Sequence, residues 1–416
     1  MNTLLIFILC LYIIKETFEY WVLYLNLRYM RKFGSAVPPE FEGEVDAGLF
    51  KKAQDYEADK ARLSIISSLV GNVMIILFMF GGLLNAYNSW IASLNLSFII
   101  SGWLFFILLS YAGDILSIPF SLYSTFKIES KYGFNTMTRR LWIADFIKSL
   151  MLSTVMMSLL LFAALWLIQR SPDYWWFFVW CFLFAYSIFV MYISPYVIEP
   201  LFNKFTPLED EILKEKITGL TDKVGIHISR ILKMNASKRS RHTNAYFTGL
   251  GRTKRIVLYD TLLKAMSHEE TLAVLAHEIG HWKRRHLLKM LAVLESFSLI
   301  AVYISFKLTL GDYLMRLFHI SADTIFVKLA ILAFLAGIVA LPLQPLMNAF
   351  IRRHEREADR VSYALTGDAE GMISALKKLS RKNLSNLYPH PLYVTLYYSH
   401  PPILERVGDI KGFQGK

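Results

Sequence analysis

His277-Glu278-Ile279-Gly280-His281 sets two histidines four residues apart, with a glutamate directly after the first. On a helix, positions i and i+4 share a face, so both imidazoles can reach one cation. A glutamate at the second position then lies beside the open coordination site of a catalytic zinc, where it can take a proton from water. The spacing points to metal-assisted hydrolysis. Only two cysteines occur, Cys10 and Cys181, both in apolar runs. A zinc ion here is therefore expected on histidine and carboxylate, not on thiolates.

A catalytic zinc wants three protein ligands and one open position. The metzincin spacing would put a third histidine six residues after His281. His286 comes at five, without the glycine, and reads instead as a marker of the membrane interface. Segment 348–365, "NAFIRRHEREADRVSYAL", offers His354, Glu355, Glu357 and Asp359. Glu355 and Asp359 share a helical face and Glu357 points elsewhere. One of the pair can ligate while the other orients a ligating histidine. The competing reading is an exposed helix whose acids pair with Arg352, Arg353 and Arg356.

Membrane spans must position these residues. The chain has 416 residues, 55% hydrophobic, 15% aromatic and 19% charged, with mean hydropathy +0.39. Soluble domains hold about 45–50% apolar and about 25% charged residues. Seven runs are long enough to cross a bilayer: 3–27, 63–86, 97–121, 142–167, 174–197, 287–310 and 325–350. Polar groups inside them, among them Glu16, Glu19, Asn72, Asp114, Asp145, Lys148, Glu295 and Gln344, should face a bundle interior or a watery cavity. The first run lacks a basic leader and a cleavage site, so it reads as a retained span.

The formal charge of +12 comes with no nucleic-acid motif, and no nucleic-acid partner is expected. The cations instead alternate between loops. They crowd the loops after spans one and three, segment 199–286 and the tail after 350, and are sparse elsewhere. That pattern puts the N-terminus outside and both large polar segments in the cytosol. The expected organisation is 1–198 (spans one to five), 199–286 (a cytosolic α+β segment), 287–350 (spans six and seven) and 351–416 (a cytosolic tail completing the site).

Within 199–286, residues 207–224 have helical periodicity ending near Gly225. "ISRILKMN", "TNAYFTG" and "KRIVLYD" read as three short strands, with Gly249 and Gly251 punctuating the second turn. Ser267 with Glu270 three residues on is a capping box, so the helix carrying the two histidines should start there.

Several stretches, in order and spread over almost the whole chain, carry a resemblance. They are "KYGFNTMT" (131–138), "EPLFNKFTPL" (199–208), "NAYFTGLGRTKRIVLYDTLL" (244–263), "HEIGH" (277–281), "RRHEREAD" (352–359) and "LYYSHPPILERV" (396–407). The chain resembles the type I CAAX prenyl proteases, seven-span integral-membrane zinc metalloproteases. The resemblance implies a mostly α polytopic membrane protein whose spans enclose a water-filled chamber, closed at its cytosolic end by the α+β protease segment. It implies one zinc ion on His277, His281 and Glu355, with Asp359 supporting the site and His400 stabilising the oxyanion. Glu278 is the expected base. One departure stands out: the family usually has an aromatic residue after the ligand glutamate, and here Arg356 follows.

Family substrates are membrane-tethered proteins ending in a prenylated Cys-a-a-X, from which the last three residues are removed. Asn244, Ala245, Tyr246, Phe247 and Thr248 are expected to form an edge strand that holds an extended substrate by main-chain hydrogen bonds. The competing functions are a broader quality-control peptidase, an intramembrane protease, disfavoured by the charged "HWKRRH", and a transporter with an incidental motif. The short connection between spans six and seven favours a monomer in a prokaryotic inner membrane, with the endoplasmic reticulum as the alternative.

Overall fold

Long apolar stretches fold as helices in a bilayer, because a helix satisfies its own backbone hydrogen bonds where there is no water. The computed structural model describes residues 2–249 and 254–414, so Gly251 and its turn lie outside the described residues. Five long helices come first: α1 (Thr3–Phe33), α2 (Ala47–Phe80), α3 (Phe98–Tyr123), α4 (Arg139–Arg170) and α5 (Trp175–Ile193). A small α+β segment follows, with β1 (Phe205–Pro207), α6 (Glu211–Asp222), β2 (Arg230–Met234), β3 (Ala245–Thr248), β4 (Arg255–Tyr259) and α7 (His268–Lys283). Two more long helices, α8 (His286–Thr309) and α9 (Ile325–Thr366), precede α10 (Ala369–Lys382), α11 (Pro391–Tyr397) and α12 (Ile403–Lys411).

Among the described residues six helices are long and apolar enough to cross a membrane: α2, α3 continued to Tyr132, α4, α5 continued to Phe202, α8 and α9. The seventh expected span, α1, is a 31-residue helix. Lys15, Glu16 and Glu19 in its middle make it less apolar than the others. Those charges answer one another. Lys15 pairs with Glu16 at 2.7 Å and Glu19 at 3.2 Å. Asn72 of α2 donates to Glu16 at 2.7 Å and accepts from Tyr12 at the same distance. Leu4, Phe7, Ile14 and Trp21 of α1 are exposed instead. The helix thus carries an apolar face and a polar one, as expected of spans around a cavity.

Other polar residues of the spans tie the membrane helices to the α+β segment. Asp145 of α4 accepts two bonds from Arg239, at 2.7 and 3.0 Å, and Lys148 donates to the Leu201 carbonyl at 2.9 Å.

The sheet runs in the order β1-β2-β4-β3, with β2 and β4 parallel and the other pairs antiparallel. β3 is an edge, as expected. β1 was not foreseen. Its three residues pair with β2 at Thr206↔Lys233, and the helix expected from Pro207 starts at Glu211 instead. Asp210 sets that start by accepting from the Leu213 amide. Side chains alternate across the sheet. Ile256 and Leu258 pack on one face with Leu275 and Ile279 of α7 and Leu213 and Ile217 of α6. Leu232, Met234 and Val257 occupy the other face with Tyr246 and Tyr259. Each fully buried aliphatic side chain here contributes roughly 1.5–3 kcal/mol, which seats the histidine-bearing helix on a rigid floor.

Candidate metal centre

α7 begins where the capping box put it. Ser267 Oγ accepts from the Glu270 amide at 3.2 Å, and the Glu270 carboxylate accepts from the Ser267 amide at 2.8 Å. Glu270 is buried and also accepts from Lys378 of α10 at 2.7 Å. The cap therefore pins α7 to α10 as well as starting it.

α9 supplies the opposite wall. It is 42 residues long, and past residue 350 it leaves the apolar run and packs along α7. The close approach has a single cause. A Cβ on Gly280 would lie 2.8 Å from the Ala358 carbonyl oxygen and 2.9 Å from its Cα. Glycine inside a helix costs about 1 kcal/mol relative to alanine, and here it lets the two backbones touch. Ser362 on α9 adds a buried bond to the Ala273 carbonyl at 3.1 Å.

The crossing brings His277, His281 and Glu355 together, with one ligand-type atom of each within 4.8 Å of the others. His277 Nε2 and His281 Nε2 are 3.1 Å apart. His277 Nε2 lies 3.3 Å from Glu355 Oε2, and His281 Nε2 lies 3.3 Å from Oε1. A tetrahedral ion with bonds of about 2.0–2.1 Å separates its ligands by about 3.3 Å, so the two imidazoles and the carboxylate are spaced to share an ion. Glu355 is buried, and its Oε2 accepts no hydrogen bond among the described residues, although His277 and His400 nitrogens lie 3.3 and 3.4 Å away. Burial opposes the charge on Glu355, but His277 and His281 outweigh it and hold the carboxyl well below the usual range. An unpaired acceptor aimed at two imidazoles is the donor set a borderline cation takes.

Asp359 is one turn further on. Its Oδ1 lies 2.8 Å from His277 Nδ1, and Arg406 of α12 clamps both carboxylate oxygens at 2.6 and 2.9 Å. Burial raises Asp359, but His277 and Arg406 prevail and keep it ionised. His277 feels burial pulling it down and the bonds to Asp359 and Glu355 pulling it up, and reaches about 9. Burial lifts Glu278 above the ordinary carboxylate range, against the pull of His277 and His281. Glu278 lines a cavity of about 160 Å³ together with His277, Asp359, His400, Arg406 and Asn244.

His400 is 60% exposed in its side chain, held by Ser399 Oγ at 2.9 Å from Nδ1, with Nε2 turned to Glu355. It borders two clefts, the one at Glu278 and a second of about 460 Å³. The second shares Glu57, Lys60 and Tyr397 with a third, between α1 and α2, of about 350 Å³. A polar path thus runs from the histidines to the charged face of α1. Of the edge strand, Asn244 reaches the cavity, Tyr246 turns to the other side of the sheet and donates to Glu199 at 2.7 Å, and Ala245 is buried.

His286 stands where the membrane helix α8 begins and is buried, with Nδ1 3.0 Å from His281 Nδ1 and Nε2 3.3 Å from Glu357. Glu357 does point away from Glu355, yet it reaches the histidines through His286. His354, a candidate ligand by type, stacks on the His286 ring at 4.0 Å outside the triangle. Arg356, in the position the family gives to an aromatic residue, pairs with Glu405 and Asp409 of α12. Arg406, Gly280 and the His286–Glu357 pair were missed. Only Gly280 left a signal, as a glycine inside a capped helix.

Comparison with known proteins completes the picture. Residues 26–204 match the family described as CAAX prenyl protease N-terminal, five membrane helices, and residues 207–414 match peptidase family M48. CAAX prenyl protease 1 of Saccharomyces cerevisiae is 36% identical, over 92% of this chain and 90% of that protein. The CAAX prenyl protease 1 homolog of Arabidopsis thaliana is 34% identical, over 99% and 97%. The crystal structure of S. mikatae Ste24p superposes with a TM-score of 0.92 at 32% identity, covering 99% of each chain. With its two helices crossing at Gly280 and its membrane helices matched end to end, the chain belongs to peptidase family M48 and is a multi-pass membrane metalloendopeptidase of the CAAX prenyl protease 1 type.

Proposed function

We propose that this chain uses one zinc ion to remove the last three residues of prenylated, membrane-tethered Cys-a-a-X proteins. The observation that carries the reading is the cluster of His277, His281 and Glu355, with one ligand-type atom of each within 4.8 Å of the others, at the end of a membrane helix. The names of its relatives support the substrate class.

When bound, the ion supplies Lewis-acid activation of water and of the scissile carbonyl. The protein supplies the rest. His277 and His281 offer Nε2, and Glu355 offers the carboxylate. Asp359 accepts from His277 Nδ1–H and so fixes the tautomer that presents Nε2. His286 accepts from His281 Nδ1–H and passes its own Nε2–H to Glu357, which fixes the second ligand. Glu278, lifted by burial, takes the proton from the attacking water and gives it to the leaving amine as the C–N bond breaks. His400 donates to the developing oxyanion, an interaction typically worth about 3–4 kcal/mol. An extended substrate adds to the free edge of β3, over Asn244, Ala245, Tyr246, Phe247 and Thr248. The polar clefts leading to α1 support a water-filled chamber.

The alternation of cations supports a cytosolic active site. The relatives of 34–36% identity named above are eukaryotic, whereas a Bacillus metalloprotease is 28% identical, which favours the endoplasmic reticulum membrane.

The test is hydrolysis of matched prenylated and unprenylated Cys-a-a-X peptides by the purified protein, with and without chelator. Cleavage confined to the prenylated peptide and abolished by chelator is expected. Equal cleavage of both peptides would replace the reading by a broader quality-control peptidase. Glu278→Gln should retain the metal and lose turnover.

A further inference from the structure

The sheet face turned away from α7 carries a second, unrelated concentration of charge. Arg255 opens β4, and its register partner in the parallel strand β2 is Arg230. Because β4 alternates, Arg255 shares the face of Val257, opposite Ile256 and α7. Two arginines side by side on one face repel each other, and the fold offers little to offset it. Arg255 is half-buried, and its Nε and Nη2 are buried with no hydrogen-bond partner among the described residues. Its guanidinium lies 4.1 Å over the ring of Tyr196, which orients it without satisfying its donors. Glu199, the acid that Tyr246 reaches from that face, is engaged: it accepts from the Tyr246 hydroxyl at 2.7 Å.

Both arginines line a cleft of about 820 Å³ that Lys204 and His227 also border, with Asp222 as its carboxylate. The cleft begins at Pro200, within the continuation of the membrane helix α5 to Phe202. A buried, unsatisfied donor costs about 1–3 kcal/mol. A planar guanidinium with two free donors is matched by a phosphate oxyanion, and anionic headgroups are the phosphates found at the end of a membrane helix.

We propose that Arg255 and Arg230 form a phosphate-binding site for an anionic lipid headgroup, in the cleft that starts at the end of α5's continuation and separate from the hydrolytic centre. The site binds an anion without any covalent step, and it does not depend on the peptidase reading.

Titration of the detergent-purified full chain by calorimetry, in phosphate-free buffer, tests it with three probes: dioctanoyl phosphatidic acid, inorganic phosphate and dioctanoyl phosphatidylcholine. Saturable binding of phosphatidic acid is expected, weakened about tenfold or more in Arg255→Gln and in Arg230→Gln, each of which removes a charge-assisted bond. Arg230 is exposed, so its variant keeps the test valid if Arg255→Gln fails to fold. Binding of inorganic phosphate with the same dependence would assign the site to free oxyanions as well, and binding of phosphatidic acid alone would assign it to the lipid. Absence of saturable binding by both anions, unchanged affinity in Arg230→Gln, or equal binding of phosphatidylcholine would overturn the proposal.

Discussion

The two histidines proposed as ligands sit one turn apart, yet their flanks are built differently. His277 leans on a charged clamp, with Asp359 held by both arms of Arg406 and side-chain exposures of 4% and 12%. His281 leans on an uncharged ring, His286, which burial drives down to about 4 despite Glu357 pulling upward. That relay reaches a carboxylate, Glu357, that is only partly buried. The first flank is rigid and costly to break. The second is soft and ends near solvent. A protein that must keep one ligand fixed while the open coordination site fills has reason to differ in this way.

The largest expected effect comes from breaking the rigid flank. Asp359→Asn leaves Arg406 buried without its partner, which should cost about 3–5 kcal/mol of stability and lower metal affinity about 10–100-fold. Thermal unfolding and metal analysis after dialysis read both. Next is Gly280→Ala, which loads both flanks at once by forcing α7 and α9 apart. Overpacking of this kind costs about 1–3 kcal/mol, and bound metal should fall below one equivalent. If Gly280→Ala kept full metal and stability, the crossing would be more compliant than its contacts imply.

Glu357→Gln probes the soft flank. It should lower metal affinity about tenfold and stability by no more than about 1 kcal/mol, well short of Asp359→Asn. Equal losses in the two variants would erase the distinction drawn here.

The least disruptive test is pH. In chelated protein His277 titrates near 9, above its unfolded value of about 6.5. Its contribution to stability is complete below about 6.5 and is lost as pH rises through 9. Metal binding removes that proton, so the loaded protein should instead gain affinity as pH rises. Unfolding midpoints of the two forms across this window should therefore move in opposite directions.

The sequence carried the parts of the site that are local. His277, Glu278 and His281 are legible because four residues make one helical turn, and Ser267 with Glu270 marks where that turn is counted from. Helical spacing narrowed the four candidates by residue type to Glu355 and Asp359, and the resemblance then gave the ligand role to Glu355. Its place depends on α9 crossing α7 at Ala358, a contact between residues far apart in the chain. Arg406 and the His286–Glu357 pair have no local signature for the same reason; His286 is buried by stacking on His354, from another helix. The membrane helices were legible as apolar runs; the run at 3–27 folds as α1, whose charges, paired with one another and with Asn72, make it less apolar than the six others. β1, three residues long, takes its conformation from pairing with β2 and not from its own sequence.

The length of α9 has a mechanical consequence. Pro342 and Pro345 inside it lack backbone donors and give it a place to bend on the membrane side of its crossing at Ala358. Along the helix Ile325 is roughly 50 Å from that crossing, while Glu355 is only about 4.5 Å from it at 1.5 Å per residue. A tilt of about 5°, of the kind a thicker or thinner bilayer imposes, swings Ile325 by about 4 Å but shifts Glu355 by about 0.4 Å. The fulcrum stands beside the carboxylate proposed as a ligand, and that placement insulates it from the lipid around it.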